Sequence, residues 1–310
     1  MLIDILGTES LGVRGLSCRV EVGNRVIVID PGIALGYRRH GLLPHPFQVA
    51  RGRSVRQEIL SALTEATDIV ISHYHGDHIP LANANPYQLD AGKIRGLRPG
   101  FTLWARSKEG LSERMKTRAE DLAFMLERET GGAEGKGDDL LSFSDPMPHG
   151  PEGSRLGSVM MTRIEDDDEV FVHASDIQLL NRESVIQIIE WKPDTVLLSG
   201  PPLYLRRLSP GQLAMARSNA TELSGRVKTL IIDHHVARSK SGIRWLKSIS
   251  SETDRPVISA AEYMGRPIML LEAWRKRLYH DMPVPRKWHD KYARGESAMK
   301  GYMEWRGWRV

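Results

Sequence analysis

The stretch from Ile69 to Ile79 reads Ile-Val-Ile-Ser-His-Tyr-His-Gly-Asp-His-Ile and decides the fold. Together with Asp68, its first part is a short apolar run rich in β-branched residues, ending at Ser72. This is the pattern of a strand that is covered on both faces. Its second part places three imidazoles and a carboxylate within six residues. These four side chains are His73, His75, Asp77 and His78.

The spacing of these side chains predicts two adjacent metal ions. In an extended or turning segment, residues i and i+2 point to the same side, so His73 and His75 can hold one ion. Asp77 and His78 lie beyond the turn at Gly76, face another direction and suit a second ion. Neutral imidazole and carboxylate are ligands of a borderline cation such as Zn²⁺. A pair of ions is the usual device for hydrolysis.

The run resembles the H-x-H-x-D-H signature of the metallo-β-lactamase-fold hydrolases, and a strand precedes it as that family requires. Two downstream segments resemble further motifs of the family. His149 is followed by a small turn and Gly153-Ser154, so the resemblance implies that it completes the ligands of the first ion. Asp176 follows the strand-like run from Phe171, and the resemblance implies a carboxylate that bridges both ions.

The last ligand belongs after a predicted strand from Val227 to Ile232. Asp233-His234 resembles the Thr-His of relatives, so His234 is the first choice and His235 is the alternative. Local sequence does not decide which imidazole points inward.

Two residues outside the ligand motifs are further candidates. In the resembled family, an aspartate at the position of Asp30 braces the metal-binding loop without touching metal; an ordinary turn aspartate is the alternative. Tyr204 follows the buried strand Thr195 to Ser199, whose end should lie on the same rim as the metals. It is a candidate for substrate contact, and an exposed loop tyrosine is the alternative.

Composition predicts a globular protein of a reducing compartment. The chain has 310 residues, of which 41% are apolar, and no run approaches the roughly 20 apolar residues of a membrane span. The first six residues include an acid and do not form a secretory signal. The single Cys18 excludes an intramolecular disulfide. We therefore expect a cytoplasmic protein with no membrane partner.

The order of predicted elements agrees with the four-layer αββα sandwich that the resemblance implies. Three strands open the chain, a loop of about twenty residues follows from Ile33 to Arg53, and a capping box at Ser54 predicts a helix. Residues 1–260 are expected to form the hydrolase domain, with an inserted helical cap at about 83–140 that contains a helix from Leu111 to Arg128. A long helix is predicted from Ala260 to His280.

Residues 261–310 are predicted to be a basic helical extension. The last forty residues carry ten Lys and Arg against five Asp and Glu, interleaved with Trp274, Trp288, Trp305 and Trp308. Basic residues with aromatics can bind nucleic acid through phosphate contacts and stacking. The favoured interpretation is an extension that packs back on the domain through its tryptophans.

The motifs predict a dinuclear metal-dependent hydrolase acting on an ester, lactone or phosphoester. A hydroxide shared by two ions would be the nucleophile, oriented by Asp77 and Asp176, because metal binding can bring the pKa of water to about 7. Zinc is the expected metal, with manganese or iron possible. Among relatives, the resemblance is greatest to uncharacterised archaeal predicted hydrolases and more distant to sugar-phosphate lactonases. The alternatives are an RNA or nucleotide phosphodiesterase that uses the basic extension, and a metal-binding protein without catalysis.

Overall fold

The computed structural model describes residues 1–96, 100–154, 157–167, 169–205 and 207–304. The first half of the chain contributes a five-stranded sheet. Its strands, in spatial order, are β1 (Leu2–Gly7), β2 (Ser17–Val22), β3 (Arg25–Ile29), β4 (Asp68–Ile71) and β5 (Thr102–Ala105). Strands β1 to β3 pair antiparallel, and strands β3 to β5 pair in parallel.

The second half of the chain contributes eight strands in the described ranges: β6 (Leu141–Phe143), β7 (Met147–Pro148), β8 (Ser158–Val159), β9 (Thr162–Asp166), β10 (Glu169–His173), β11 (Thr195–Leu198), β12 (Thr229–Ile232) and β13 (Val257–Ile258). Six of them form one sheet in the order β13-β12-β11-β10-β9-β6, in which β10 to β13 are parallel. The other two, β7 and β8, pair with each other as a short antiparallel ribbon.

The helices cover the outer faces of the two sheets, which gives the four-layer αββα sandwich. On β4, Ile69 and Ile71 pack in the cluster shared with α1 and α2, while Val70 faces the space between the sheets. This alternation follows from the two-residue period of a strand. The helices are α1 (Pro46–Glu65), α2 (Glu113–Leu126), α3 (Arg182–Glu190), α4 (Pro210–Ser224), α5 (Lys240–Ser250), α6 (Ala260–Tyr263), α7 (Arg275–Asp281) and α8 (Trp288–Ala293). In the described ranges, none has both the length and the apolar character to cross a bilayer.

Two helix predictions are wrong in their bounds. The helix predicted from Ser54 begins at Pro46, because the ring of His45 caps it by accepting a hydrogen bond from the Phe47 N–H. The last eight residues of the predicted long loop, 46–53, are therefore helical. The long helix predicted from Ala260 stops at Tyr263, since Gly265 adopts a left-handed φ of 61° and Pro267 follows it.

The predicted cap at 83–140 is also wrong in part. It contains β5, which pairs in parallel with β4 and so belongs to the first sheet. Its sequence, Thr-Leu-Trp-Ala, has one β-branched residue and only Ala105 is buried, so it lacks the buried β-branched run that marks β4. The division into residues 1–260 and a C-terminal extension, 261–310, remains a prediction. Within the extension, Trp274 and Trp288 are buried, in the outer clusters of the second and the first sheet respectively.

Candidate metal centre

The predicted ligands lie where strands of both sheets end. His73 comes two residues after β4, Asp176 three residues after β10, and His234 two residues after β12. The hydroxyls of Ser72 and Ser175 are 2.7 Å apart and join the ends of β4 and β10. The carboxyl ends of these strands therefore meet at one edge of the sandwich.

Backbone strain is concentrated at this edge. Asp30, Ser175 and His234 have φ values of 48°, 49° and 44°, in the left-handed region that non-glycine residues seldom adopt. Such conformations cost about 1–3 kcal/mol each and collect at functional sites. They turn the chain sharply after each strand and so direct the side chains toward one point.

The first group of ligand atoms comes from His73, His75, His149 and Asp176, and all four lie within 4.8 Å of one another. His73 Nε2 is 3.0 Å from His75 Nδ1, and His149 Nε2 is 3.2 Å from Asp176 Oδ2. Ligands about 2 Å from one tetrahedral zinc ion are about 3.3 Å apart. The spacing of this group therefore fits a single ion.

The second group consists of Asp77, His78 and His234, again within 4.8 Å of one another. Asp176 faces this group with its other oxygen, Oδ1, which is 3.2 Å from His78 Nε2 and 3.4 Å from His234 Nε2. Both His78 Nε2 and Asp176 Oδ1 are buried without a hydrogen-bond partner among the described residues. Unpaired buried polar atoms are costly, so a cation between them fits this arrangement.

Protonation states also suit metal binding. Burial would raise the pKa of Asp77 and Asp176, but the nearby imidazoles, chiefly that of His78, hold both values below the ordinary range. Burial lowers the pKa of four imidazoles, so each ring is neutral and has a nitrogen lone pair available to bind a metal ion: His73, His149, His234 and His235. Burial opposes protonation of His78 too, yet the charges of Asp176 and Asp30 raise its pKa well above the usual value. An ion bound at His78 would therefore displace a proton.

Asp30 lies behind the ligands and is fully buried. Its Oδ1 accepts a hydrogen bond from the Ser72 N–H, and its Oδ2 accepts hydrogen bonds from the hydroxyls of Ser72 and Ser175. His78 Nδ1 is 3.0 Å from the same Oδ2. A proton held on Nδ1 by this contact leaves Nε2 directed at the second group. Sequence reasoning missed the two serines, whose only signal is a small hydroxyl residue next to a ligand.

Arg238, which the motif analysis also missed, contacts the second group from the side. Its Nη2 is 3.2 Å from Asp77 Oδ2, 2.8 Å from His234 Nε2 and 3.4 Å from His234 Nδ1. Since both ring nitrogens are so close, the guanidinium lies over the imidazole face and leaves the Nε2 lone pair free. No sequence motif marks this arginine, because the carboxylate that it contacts, Asp77, is 161 residues away in the sequence.

Both candidates for the last ligand point inward. His234 Nε2 is 3.6 Å from Asp77 Oδ2 and belongs with the second group. His235 Nε2 instead lies 3.4 Å from both His149 Nε2 and Asp176 Oδ2, beside the first group. The N–H of Gly15 is 3.3 Å from His234 Nδ1, a hydrogen bond that would be lost on ligation through Nε2, because a neutral ring then carries its proton on Nδ1. His234 remains the predicted ligand, and His235 is left facing the cavity.

A cavity of about 700 Å³ opens over the two groups. Its floor includes His75, Asp77, His149, Asp176 and His235. Tyr204 lines the wall, and its hydroxyl accepts a hydrogen bond of 3.1 Å from Arg238 Nη1. The remaining wall includes Arg14, Glu152, Gln178, Arg207 and Gln212.

Comparison with known proteins identifies the family. No family model matches the chain. A UPF0282 protein of Methanosarcina mazei is 46% identical over 303 residues, which cover 98% of this chain and 100% of that protein. This chain belongs to the UPF0282 family. UPF0282 proteins of Pyrococcus furiosus and Methanopyrus kandleri are each 37% identical, over 90% and 88% of this chain and 92% and 97% of their own lengths.

Solved structures show that this UPF0282 chain has the metallo-β-lactamase fold. The metallo-β-lactamase-fold protein YhfI of Bacillus subtilis is similar with a TM-score of 0.50 and 12% identity, over 83% of this chain and 95% of that one. Unliganded yeast PDE1 is similar with a TM-score of 0.50 and 15% identity, over 83% and 96%. At such identities the likeness concerns the fold alone. The fold and the resemblance predicted from sequence are therefore confirmed.

Proposed function

We propose that this UPF0282 protein is a dinuclear metal-dependent hydrolase of esters, lactones or phosphoesters. The observation that carries the proposal is the position of Asp176. Its Oδ2 faces three imidazoles of the first group, and its Oδ1 faces His78 and His234. One carboxylate between two ligand groups is the arrangement that two adjacent ions need.

Two divalent ions, most simply zinc, would supply Lewis acidity and a water whose pKa is lowered to about 7. The chain's own residues prepare the site for them. Asp30 holds the His78 ring through Nδ1, and Arg238 holds Asp77 and covers one face of His234. The buried position of the ligands keeps bulk water away from their outer sides. We further propose that the protein works in the cytoplasm, in keeping with its single, buried cysteine.

Metal analysis of protein purified without chelator tests the proposal. We expect about two ions per chain, and hydrolysis of at least one member of a panel of p-nitrophenyl esters, lactones and phosphodiesters. Asp176→Ala should lower the occupancy of both ions, whereas Asp77→Ala should lower that of one, and each should abolish most activity. Circular dichroism checks that the variants fold. A metal content near zero that Zn²⁺ or Mn²⁺ does not restore contradicts the proposal, and bound ions without any hydrolysis indicate a metal-binding protein.

A further inference from the structure

The cavity wall carries arginines in addition to the two ligand groups. Apart from the predicted metal ligands, the charged wall residues in the described part of the chain are three arginines and one carboxylate: Arg14, Arg207, Arg238 and Glu152. Ions bound at the centre would add to this positive field. An anionic substrate is therefore favoured over a neutral one.

Arg14 can donate a hydrogen bond to a ligand through one nitrogen of its guanidinium group, Nη1. Its Nε and Nη2 each donate a hydrogen bond of 2.6 Å to Glu272, whose side chain is only 1% exposed. Its Nη1 has no hydrogen-bond partner among the residues that the structure describes. The Arg14 side chain is 27% exposed and lines the cavity. Glu272 thus fixes the guanidinium in place while one of its nitrogens remains available.

Arg238 is a second buried cation, and it lies between Arg14 and the second ligand group. Its Nε donates to Glu9 at 2.7 Å, its Nη1 to Tyr204 and its Nη2 to Asp77. Glu9 also lies 3.8 Å from Arg14, so one carboxylate serves two arginines. Glu272 thus pairs with Arg14, and Glu9 and Asp77 pair with Arg238, so these carboxylates hold both guanidinium groups in place beside the cavity.

Arg207 lies at the exposed side of the same cavity. Among the described residues, its side chain has no hydrogen bond or ion pair. It can therefore turn toward a bound anion without breaking a contact of the fold.

We propose that the cavity binds a phosphoester, with Arg14 and Arg207 contacting the non-bridging phosphoryl oxygens beside the second ligand group. This inference rests on the proposed hydrolase function and narrows its substrate class. Guanidinium groups match phosphoryl oxygens in both charge and geometry. In the reaction, water oxygen forms a new bond to phosphorus, the ester P–O bond breaks, and the proton of water passes to the leaving alcohol.

Binding of inorganic phosphate to chelator-treated protein tests the arginines apart from metals and catalysis. We expect saturable binding by calorimetry, weakened by roughly tenfold in Arg207→Gln, since a charge-assisted hydrogen bond contributes about that factor. Arg53→Gln, which removes an exposed arginine of α1 that lines no part of the cavity, should bind like the parent. Arg14→Gln should also weaken phosphate binding. If the Arg14 variant fails to fold, the comparison between Arg207→Gln and the parent still tests the inference. Absence of binding, or equal affinity in all folded variants, overturns the inference.

Hydrolysis by the metal-loaded protein separates this inference from the proposed function. For bis(p-nitrophenyl) phosphate, Arg207→Gln should raise KM several-fold, while Arg53→Gln leaves it unchanged. Cleavage of p-nitrophenyl acetate or a neutral lactone alone, without inhibition by phosphate, overturns the phosphoester assignment but leaves the hydrolase intact. If no substrate is cleaved and no metal is bound, the proposed function fails, and phosphate binding still decides whether the anion site exists.

Discussion

At the scale of single residues, Asp30 accepts hydrogen bonds from four groups, which leaves its carboxylate little capacity to bind a metal ion itself. It also holds a left-handed backbone conformation, which asparagine tolerates as well. Burial would raise its pKa, but the hydrogen bond and charge of His78 lower it to about 2. The carboxylate is therefore ionised, and it orients His78 without being a ligand.

The variant Asp30→Asn isolates this orienting role. We expect metal affinity to fall by roughly 10- to 100-fold, because the amide carries no charge and must present its NH₂ to one of the four donors. Competition with a chromophoric chelator measures the affinity. Asp194→Asn removes a carboxylate that accepts a hydrogen bond from the Val170 N–H, and it should leave metal affinity unchanged. Equal affinities in both variants would show that Asp30 is an ordinary turn residue.

His234 and His235 give a second residue-scale prediction. His234→Ala should reduce the metal content from about two ions to about one, because its Nε2 faces Asp77 and Asp176 Oδ1. His235→Ala should keep both ions, since three other imidazoles and Asp176 already suffice for the first ion. Metal analysis of the two variants, prepared side by side, makes the comparison. Loss of an ion from the His235 variant instead would reverse the assignment.

At the scale of elements, strands were predictable where apolar, β-branched residues are covered on both faces. The strand before His73 and the strand at Thr195 were found in this way. The start of α1 was missed because histidine is an uncommon cap, and β5 was missed because it has one β-branched residue and is partly exposed. The ligand set could be predicted because it lies close in sequence or at strand ends. The roles of Arg14 and Arg238 could not be predicted, because their carboxylate partners lie more than 150 residues away in the sequence.

The contact between Arg14 and Glu272 joins the first sheet region to the segment before α7, and it predicts a pH dependence. Burial alone would raise the pKa of Glu272, but the hydrogen bonds and charge of Arg14 lower it to about 2. Because this pKa is below the unfolded value, the pair stabilises the fold above about pH 4.5 and this contribution disappears as pH falls toward 2. Glu272→Gln should therefore cost about 3 kcal/mol at pH 7 and progressively less below pH 4.5.

Urea unfolding of the parent and Glu272→Gln at several pH values measures this difference. Glu296→Gln is the control, since Glu296 pairs with Arg294 on the exposed surface and such pairs contribute little. A Glu272 variant that loses the same stability at pH 3 as at pH 7 would contradict the ion-pair explanation.

At the scale of the whole molecule, the C-terminal residues touch both halves of the sandwich. Trp274 packs beneath the second sheet, and Trp288 packs beneath the first. His289 lies between the hydroxyls of Tyr87 and Tyr279, at 2.8 Å and 2.9 Å. Trp305 and Trp308 lie outside the described residues. These contacts favour a structural role for the extension over a nucleic-acid surface.

Two variants separate these roles. A chain that ends at Ala273 should melt at a much lower temperature or fail to fold, because removing a buried tryptophan costs about 3–5 kcal/mol. Neutralising the exposed cations Lys276, Arg277, Arg286 and Lys287 should leave the melting temperature nearly unchanged. RNA binding measured over a range of salt concentrations completes the test, since phosphate contacts weaken steeply as salt rises. Salt-sensitive RNA binding by the parent that the charge variant loses, at unchanged melting temperature, would favour the RNA phosphodiesterase. We expect neither the parent nor the charge variant to show salt-sensitive RNA binding, because the cations proposed to contact the phosphoester lie in the cavity over the metal centre.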